Sequence, residues 1–308
     1  MRRVPALVVA AGIVAVALTG CSSDPNTDCS TALPSGQASD LVTATGKIGS
    51  EPKITVPTPV DTSTSQRTVL TTGRGAQVHT GQLVEVGFTA IDGSTGQVAQ
   101  SGYGAQAAVI PLGTDSVPKA LSKALQCTTV GSRVAVAIAP KDTGAQSAAG
   151  GPAQIYVFDV VGTSLSRADG AVRPAANGFP TVVLAPTGQP GVTLPSSGGA
   201  PTKVRSEVLK AGDGAEVKKT SIVTLQYTAV GWDSKQVTTT SWLNGGPGLV
   251  SMANGQLQIS NQDQITALPQ AMLGELVGQK VGSQLVIETP KDANFAPQAW
   301  VVDILGVR

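Results

Sequence analysis

Aromatic side chains are scarce in this chain: three Trp, three Tyr and four Phe make up 3% of 308 residues. Charge is scarce as well, at 13% of residues with a net charge of +1. No basic block occurs, which excludes a nucleic-acid surface built on phosphate contacts. A single histidine and the lack of any Cys-x-x-Cys exclude a zinc site of ordinary spacing. That histidine, His79, sits in Gly-Ala-Gln-Val-His-Thr-Gly and reads as a surface residue at a turn-rich entry to a strand. The serine-rich stretches have no His/Asp context for nucleophilic catalysis. Asp92, Asp142, Asp159, Asp233, Asp292 and Asp303 form no paired arrangement along the sequence. Gly245-Gly-Pro-Gly is a turn and not a phosphate loop, because no Gly-Lys-Ser/Thr follows it. No metal and no cofactor is expected. What is abundant is glycine (36) and proline (20), with much Thr, Ser, Ala and Val, a balance that suits β-structure with many turns. The length is enough for two domains.

The N-terminus begins Met1-Arg-Arg and runs through an apolar stretch from Val4 to Leu18, too short to span a bilayer. It closes with Leu18-Thr-Gly-Cys21. This resembles a bacterial lipoprotein signal peptide ending in its lipobox. The resemblance implies a signal segment at 1–20, acylation of Cys21 and a mature protein held on the extracytoplasmic face of the cell membrane. The alternative is an uncleaved anchor helix with a chance cysteine. With Cys21 lipidated, Cys29 and Cys127 remain. Two leftover cysteines in an oxidising compartment are expected to pair, two buried free thiols being the alternative.

Residues 21–52 are rich in Ser, Thr, Gly and Pro and read as a partly ordered tether. A repeat follows. The stretch from Thr68 through Phe88 to Ala90 aligns without a gap with that from Glu207 through Tyr227 to Ala229. Val117-Pro-Lys-Ala-Leu-Ser-Lys-Ala-Leu matches Leu268-Pro-Gln-Ala-Met-Leu-Gly-Glu-Leu. Pro140-Lys-Asp matches Pro290-Lys-Asp, and Tyr156-Val-Phe-Asp-Val-Val-Gly matches Trp300-Val-Val-Asp-Ile-Leu-Gly. The chain is thus read as a duplication, 53–165 and 179–308, joined by a linker at 166–178.

Val84, Val86 and Phe88 alternate with Leu83, Glu85, Gly87 and Thr89, and Val223, Leu225 and Tyr227 alternate with Ile222, Thr224, Gln226 and Thr228. This predicts half-buried antiparallel strands with one apolar and one polar face. One short helix per repeat is predicted at Pro118–Leu125 and Pro269–Leu276, with proline in the first turn. The fold class is therefore α+β, each unit an antiparallel sheet packed on one short helix. Trp232 and Trp242 are expected at hairpin or loop surfaces.

This order of elements resembles the FKBP immunophilins, the macrolide-binding peptidyl-prolyl cis-trans isomerases. The residues that carry it are Val223-Thr-Leu-Gln-Tyr-Thr-Ala, the hairpin from Trp232 to Trp242, Leu276-Val-Gly-Gln-Lys-Val-Gly, the loop from Pro290 and the closing Trp300-Val-Val-Asp-Ile-Leu. The resemblance covers both repeats and implies two tandem domains of this fold, each with a prolyl pocket. In the second repeat the implied pocket residues are Tyr227, Val237, Thr238, Leu268, Pro269, Met272, Phe295 and Trp300. In the first they are Phe88, Val98, Ala99, Val117, Pro118, Leu121 and Tyr156. Met272 stands where the family has a tryptophan floor, and Thr238 and Ala99 where it has an aspartate. Tyr227, Trp300 and Tyr156 are equally readable as core. The family's chemistry needs no nucleophile. An X–Pro bond turns slowly because amide resonance holds it planar, and an apolar pocket that desolvates the amide favours the twisted form.

The resemblance implies an extracytoplasmic, membrane-anchored prolyl isomerase acting on proline-containing segments of exported proteins. The alternative is a degenerate binding or chaperone module of the same fold at the cell envelope. Macrolide binding is a further implication. The second repeat, with more aromatics in the implied pocket, is expected to be the more active one.

Replacing Cys21 with Ala is expected to leave the precursor uncleaved or release the protein from membranes, since stable anchoring requires more than one acyl chain. Fractionation with labelled palmitate checks this; unchanged incorporation would refute the lipobox reading.

Overall fold

The computed structural model describes residues 29–143, 151–243, 246–259 and 267–308. The signal segment, Cys21 and the Gly245 turn residue lie outside them. In chain order the first half contains α1 (Gln37–Asp40), β1 (Thr43–Thr45), β2 (Lys53–Thr55), β3 (Gln66–Thr71), β4 (Leu83–Asp92), β5 (Val98–Gly102), β6 (Ala108–Pro111), α2 (Lys119–Leu125), β7 (Arg133–Ile138) and β8 (Gln154–Thr163). The second contains β9 (Ala171–Val172), β10 (Thr181–Leu184), β11 (Pro190–Thr193), β12 (Arg205–Ala211), β13 (Ile222–Gly231), β14 (Val237–Thr240), β15 (Gly248–Ser251), β16 (Leu257–Ile259), α3 (Gln270–Leu276), β17 (Gln284–Thr289) and β18 (Gln298–Val307).

Two large antiparallel sheets result. One runs β3-β7-β8-β4-β5 with β6 also on β4; the other runs β16-β15-β13-β18-β17-β12-β9 with β14 also on β13. The repeat seen in the sequence is thus a repeat of topology, with β3, β4, α2, β7 and β8 matched by β12, β13, α3, β17 and β18. The helices start one residue later than predicted, because Pro118 and Pro269 adopt extended backbone and act as N-caps. Their apolar sides, Ala120, Ala124 and Leu125 in α2 and Met272, Leu273 and Leu276 in α3, pack on one face of each sheet. Among the described residues no helix is long and apolar enough to cross a membrane.

The strands are not half-buried. β7 and β17 are buried at every position, and β13 at all but its first. The alternation predicted one wet face; the structure covers both. In the first half, residues 29–60 lie across the back face. Ala38, Val42 and Val60, with Ala44, Ile54 and Val56, pack against Ile91, Ala135, Ala137, Ile155 and Val157. The stretch read as a tether is therefore folded from Cys29 onward. In the second half the β10–β11 hairpin does the same job, with Phe179, Val182 and Val192 against Leu209, Val286 and Val301. The two back hairpins are themselves repeats. Thr43 pairs with Thr55 and Ala44 with Ile54, as Thr181 pairs with Thr193 and Val182 with Val192. Pro52-Lys-Ile-Thr-Val-Pro and Pro190-Gly-Val-Thr-Leu-Pro are the sequence trace of this, short enough to be missed. The stretch read as a linker is also packed: Ala168 is buried and β9 pairs with β12.

Burying the back face also buries its charges, and the two halves solve this differently. Arg133 and Asp159 form a bidentate pair in β7 and β8, Nε to Oδ1 at 2.6 Å and Nη2 to Oδ2 at 2.7 Å. The hairpin turn completes it: Gly49 N–H donates to Asp159 Oδ2, and the carbonyls of Gly46 and Lys47 accept from Arg133. Their repeat counterparts are Gln284 and Asp303. Gln284 Nε2 donates to Asp303 Oδ1 at 2.7 Å and Ala168 N–H donates to Oδ2 at 2.9 Å. Burial pushes the Asp303 carboxyl above its ordinary range, against the pull of those two hydrogen bonds and of the Lys210 charge. The disulfide Cys29–Cys127, Cα to Cα 5.8 Å, ties the start of the back cover to the residue pair after α2. It closes a loop of 98 residues, the kind of cross-link that typically contributes about 2–4 kcal/mol.

Two substitutions separate the two buried carboxylates. Asp159→Asn leaves Arg133 buried beside a neutral amide and is expected to cost about 3–5 kcal/mol. Asp303→Asn is expected to be close to neutral near pH 8. Since the folded-state pKa of Asp303 is raised, its stabilising contribution is full below the unfolded carboxylate range and is lost as pH rises through the folded value. The wild type should therefore gain on Asp303→Asn as pH falls toward that range. Urea melts of both variants at several pH values check the sign.

Candidate functional site

The front face, where the helix packs, collects the residues implied as pockets. In the first half Phe88 from β4, Tyr156 from β8 and Leu121 from α2 are half-buried at the edge of the core cluster formed by Val84, Val86, Val134, Val136 and Phe158. Tyr156 and Phe158, two residues apart and so on one side of β8, stack with centroids 5.4 Å apart. Partial burial raises the Tyr156 phenol pKa, leaving a neutral hydroxyl over a wide pH range. Val117 is buried at the start of α2, and Pro118 is exposed beside it. Phe88 faces Gly102 across the β4–β5 pair. A Cβ at Gly102 would come within 2.9 Å of Phe88 Cε1 and 2.5 Å of the Gln106 carbonyl, so the ring's position requires that glycine.

Tyr103 was not among the implied pocket residues. It packs on the opposite face, over Gly87, where a Cβ would meet its ring at 2.4 Å. Its hydroxyl lies 3.1 Å from Thr89 Oγ1, and burial pushes its pKa up to about 12. It belongs with the Arg133–Asp159 cover and not with the front face.

In the second half the same positions are closed. Trp300, the counterpart of Tyr156, is wholly buried, and Tyr227, Leu268 and Met272 pack with it in the core. Tyr227 and Trp300 lie with centroids 6.1 Å apart, and Phe295 sets its edge on Trp300 at 6.3 Å. The Trp300 indole N–H donates to Thr289 Oγ1 at 3.2 Å. Tyr227 and Trp300 thus lie in the core cluster, at 2% and 0% exposure. Pro269 is buried as well. The physical reason is volume: an indole replaces a phenol at 300, and the Phe295 loop lies against it.

The hairpin residues fall outside both clusters. Val98 and Ala99 in the first half and Val237 and Thr238 in the second are exposed. Thr238 Oγ1 donates to the Ala229 carbonyl and accepts from Gln298 Nε2, so it is tied to its own sheet. Neither half offers a carboxylate at this position. Trp232, expected at the surface, is buried: its backbone N–H donates to the Pro297 carbonyl and Lys235 Nζ lies 5.4 Å over its ring. His79 is half-buried. Among the described residues no group of His, Cys, Asp and Glu is placed to hold a metal ion.

No protein-family model and no curated protein matches the chain. Solved structures that resemble it are FKBP-type isomerases. The three FKBP domains of wheat FKBP73 share 15% identity, covering 79% of this chain and 94% of that one, with a TM-score of 0.30. The putative peptidyl-prolyl cis-trans isomerase FKBP12 from Mycobacterium tuberculosis shares 24% identity, over 33% of this chain and 85% of that one, at a TM-score of 0.28. A peptidyl-prolyl cis-trans isomerase from Pseudomonas syringae shares 26%, over 32% and 74%, at 0.26.

Trp300→Ala and Tyr227→Ala are expected to cost about 3–5 kcal/mol each, as for other buried aromatics. Tyr156→Ala, at the rim, should cost clearly less. Denaturant titration checks the order; a larger loss at Tyr156 would make that residue core too.

Proposed function

We propose that the chain is a peptidyl-prolyl isomerase of modest power, held outside the cytoplasm by lipid on Cys21 and acting on proline-containing segments of exported proteins. Its working face is on the first half. The observation that carries this is the half-buried wall of Phe88, Tyr156 and Leu121, set against the closed packing of Tyr227, Met272 and Trp300. A prolyl ring needs apolar surface that is open to it, and aromatic residues sealed in a core supply none. This reverses the expectation that the second half is the more active.

The chemistry follows from the wall. A proline ring laid on Phe88 and Leu121 loses water from the imide it carries. The polarised planar amide loses more solvation than the twisted one, so the barrier falls without any proton transfer. The neutral Tyr156 hydroxyl is a donor at the rim for a carbonyl of the bound segment. No carboxylate reinforces the field, since Ala99 stands in the hairpin position and is exposed. That absence is what favours the second reading, a module that holds proline-containing segments without turning them.

An exchange assay by NMR on an Ala-Pro peptide, with the full chain, tests both. Tyr156→Ala is expected to remove most of the acceleration, and Phe295→Ala to leave it within about twofold, a difference of a few tenths of a kcal/mol. The reverse pattern would put the working face on the second half. Peptide binding with no acceleration in the wild type would replace catalysis by the holding function.

A further inference from the structure

Helix α2 supplies Leu121 to the first-half face, and its seven residues are too few to hold a helix in place unaided. Its N-terminal end has no side-chain cap. In its middle, Ser122 Oγ accepts the Gly113 N–H at 3.3 Å. The firmer ties are at the other end. A helix leaves its last four carbonyls without a partner inside it. Here each carbonyl from Lys123 to Gln126 has a partner outside. Lys123 accepts the Leu33 N–H at 3.2 Å, and Leu125 accepts the Thr128 hydroxyl at 2.6 Å. Ala124 and Gln126 both accept from Arg67 Nη1, at 2.8 and 2.6 Å.

Arg67 comes from β3, the edge strand of its sheet, and is half-buried. Its guanidinium sets a cation at the negative end of the helix and makes two charge-assisted hydrogen bonds there. The segment ahead of α1 closes over the same end. Thr31 Oγ1 donates to Gln126 Oε1 at 2.9 Å, and the Cys29–Cys127 disulfide pins that segment to the residue after the cap. In the second half the matching residue is Ser206, which faces Ile287 in register as Arg67 faces Val136. Ser206 Oγ donates to the Glu275 carboxylate of α3, a side chain and not a carbonyl of the helix. The arginine thus belongs to the half whose aromatic wall is open.

We propose that Arg67 is a positioning residue of the first-half face: by gripping the C-terminal carbonyls of α2 it fixes Leu121 in the wall shared with Phe88 and Tyr156. It acts through the helix and not on the peptide. Leu121 stands one turn before Leu125, so a helix end that swings carries the wall with it. This rests on the reading of that wall as the working face.

The test follows the Leu121 methyl resonances and the exchange of the Ala-Pro peptide together, on the full chain, where urea melts show every variant folded. Arg67→Met keeps the apolar stem and removes the donors. It is expected to shift the Leu121 methyls and to slow the catalysed exchange about fivefold or more. Arg67→Lys restores a cation and a donor, and is expected to bring the rate back to within about twofold of the wild type. Ser206→Ala, which releases the matching contact on α3, is expected to change neither readout. Unmoved Leu121 methyls or undiminished exchange in Arg67→Met overturns the proposal. So does an Arg67→Lys protein no faster than Arg67→Met, or an equal loss in Ser206→Ala. A wild type without acceleration refutes the isomerase reading alone, and the methyl shift in Arg67→Met then decides whether Arg67 places the wall.

Discussion

β7 and β17 are buried along their whole length, so each sheet needs a cover on both faces. The rest of the structure answers to that requirement. A helix of seven residues covers the front of each sheet, and an N-terminal hairpin covers the back. Neither cover could be lost without exposing a row of Val, Ile and Ala to water, at roughly 25 cal/mol for each Å2. The back covers bring the polar cost with them, since they bury Arg133, Asp159, Glu288 and Asp303. Those groups are then tied by backbone N–H groups, by a guanidinium or by an amide. The exception is Glu288 Oε1, which has no hydrogen-bond partner among the described residues.

The same demand shapes the front. Once the back is sealed, the front can be opened only where the core has surplus surface at its rim. In the first half that is beside α2, where Leu121, Phe88 and Tyr156 remain half-buried. In the second, Trp300 and Phe295 take up the space. The two halves thus share one topology and differ in how far the front-face aromatics are buried. One copy keeps an accessible aromatic wall. The other spends its aromatics on stability.

The Arg133–Asp159 pair and the Gln284–Asp303 pair show the same divergence on the back. Both carboxylates occupy one register position on the closing strand, and each receives one backbone N–H, from Gly49 in the hairpin turn of the first half and from Ala168, ahead of β9, in the second. Only the first has a guanidinium. A buried pair is held together by geometry and extra hydrogen bonds, and the turn at Gly46, Lys47 and Gly49 supplies them. The second half has no paired guanidinium there and accepts a carboxyl whose ionisation is disfavoured by burial.

The sequence by itself determined the duplication, the antiparallel sheets, the two short helices and the pairing of Cys29 with Cys127. Each was legible because it rests on local pattern: period-two alternation, proline before a three-and-four apolar spacing, and a count of thiols. It also ordered the front-face residues, since Phe88, Leu121 and Tyr156 align with Tyr227, Met272 and Trp300 position by position. What it could not say was which set stays open. That depends on whether one indole fills a cavity, a matter of volume in three dimensions. Nor could alternation reveal the second cover. The polar residues on the back face read as solvent-facing, and only the hairpins folded over them decide that Arg133, Asp159, Glu288 and Asp303 are inside.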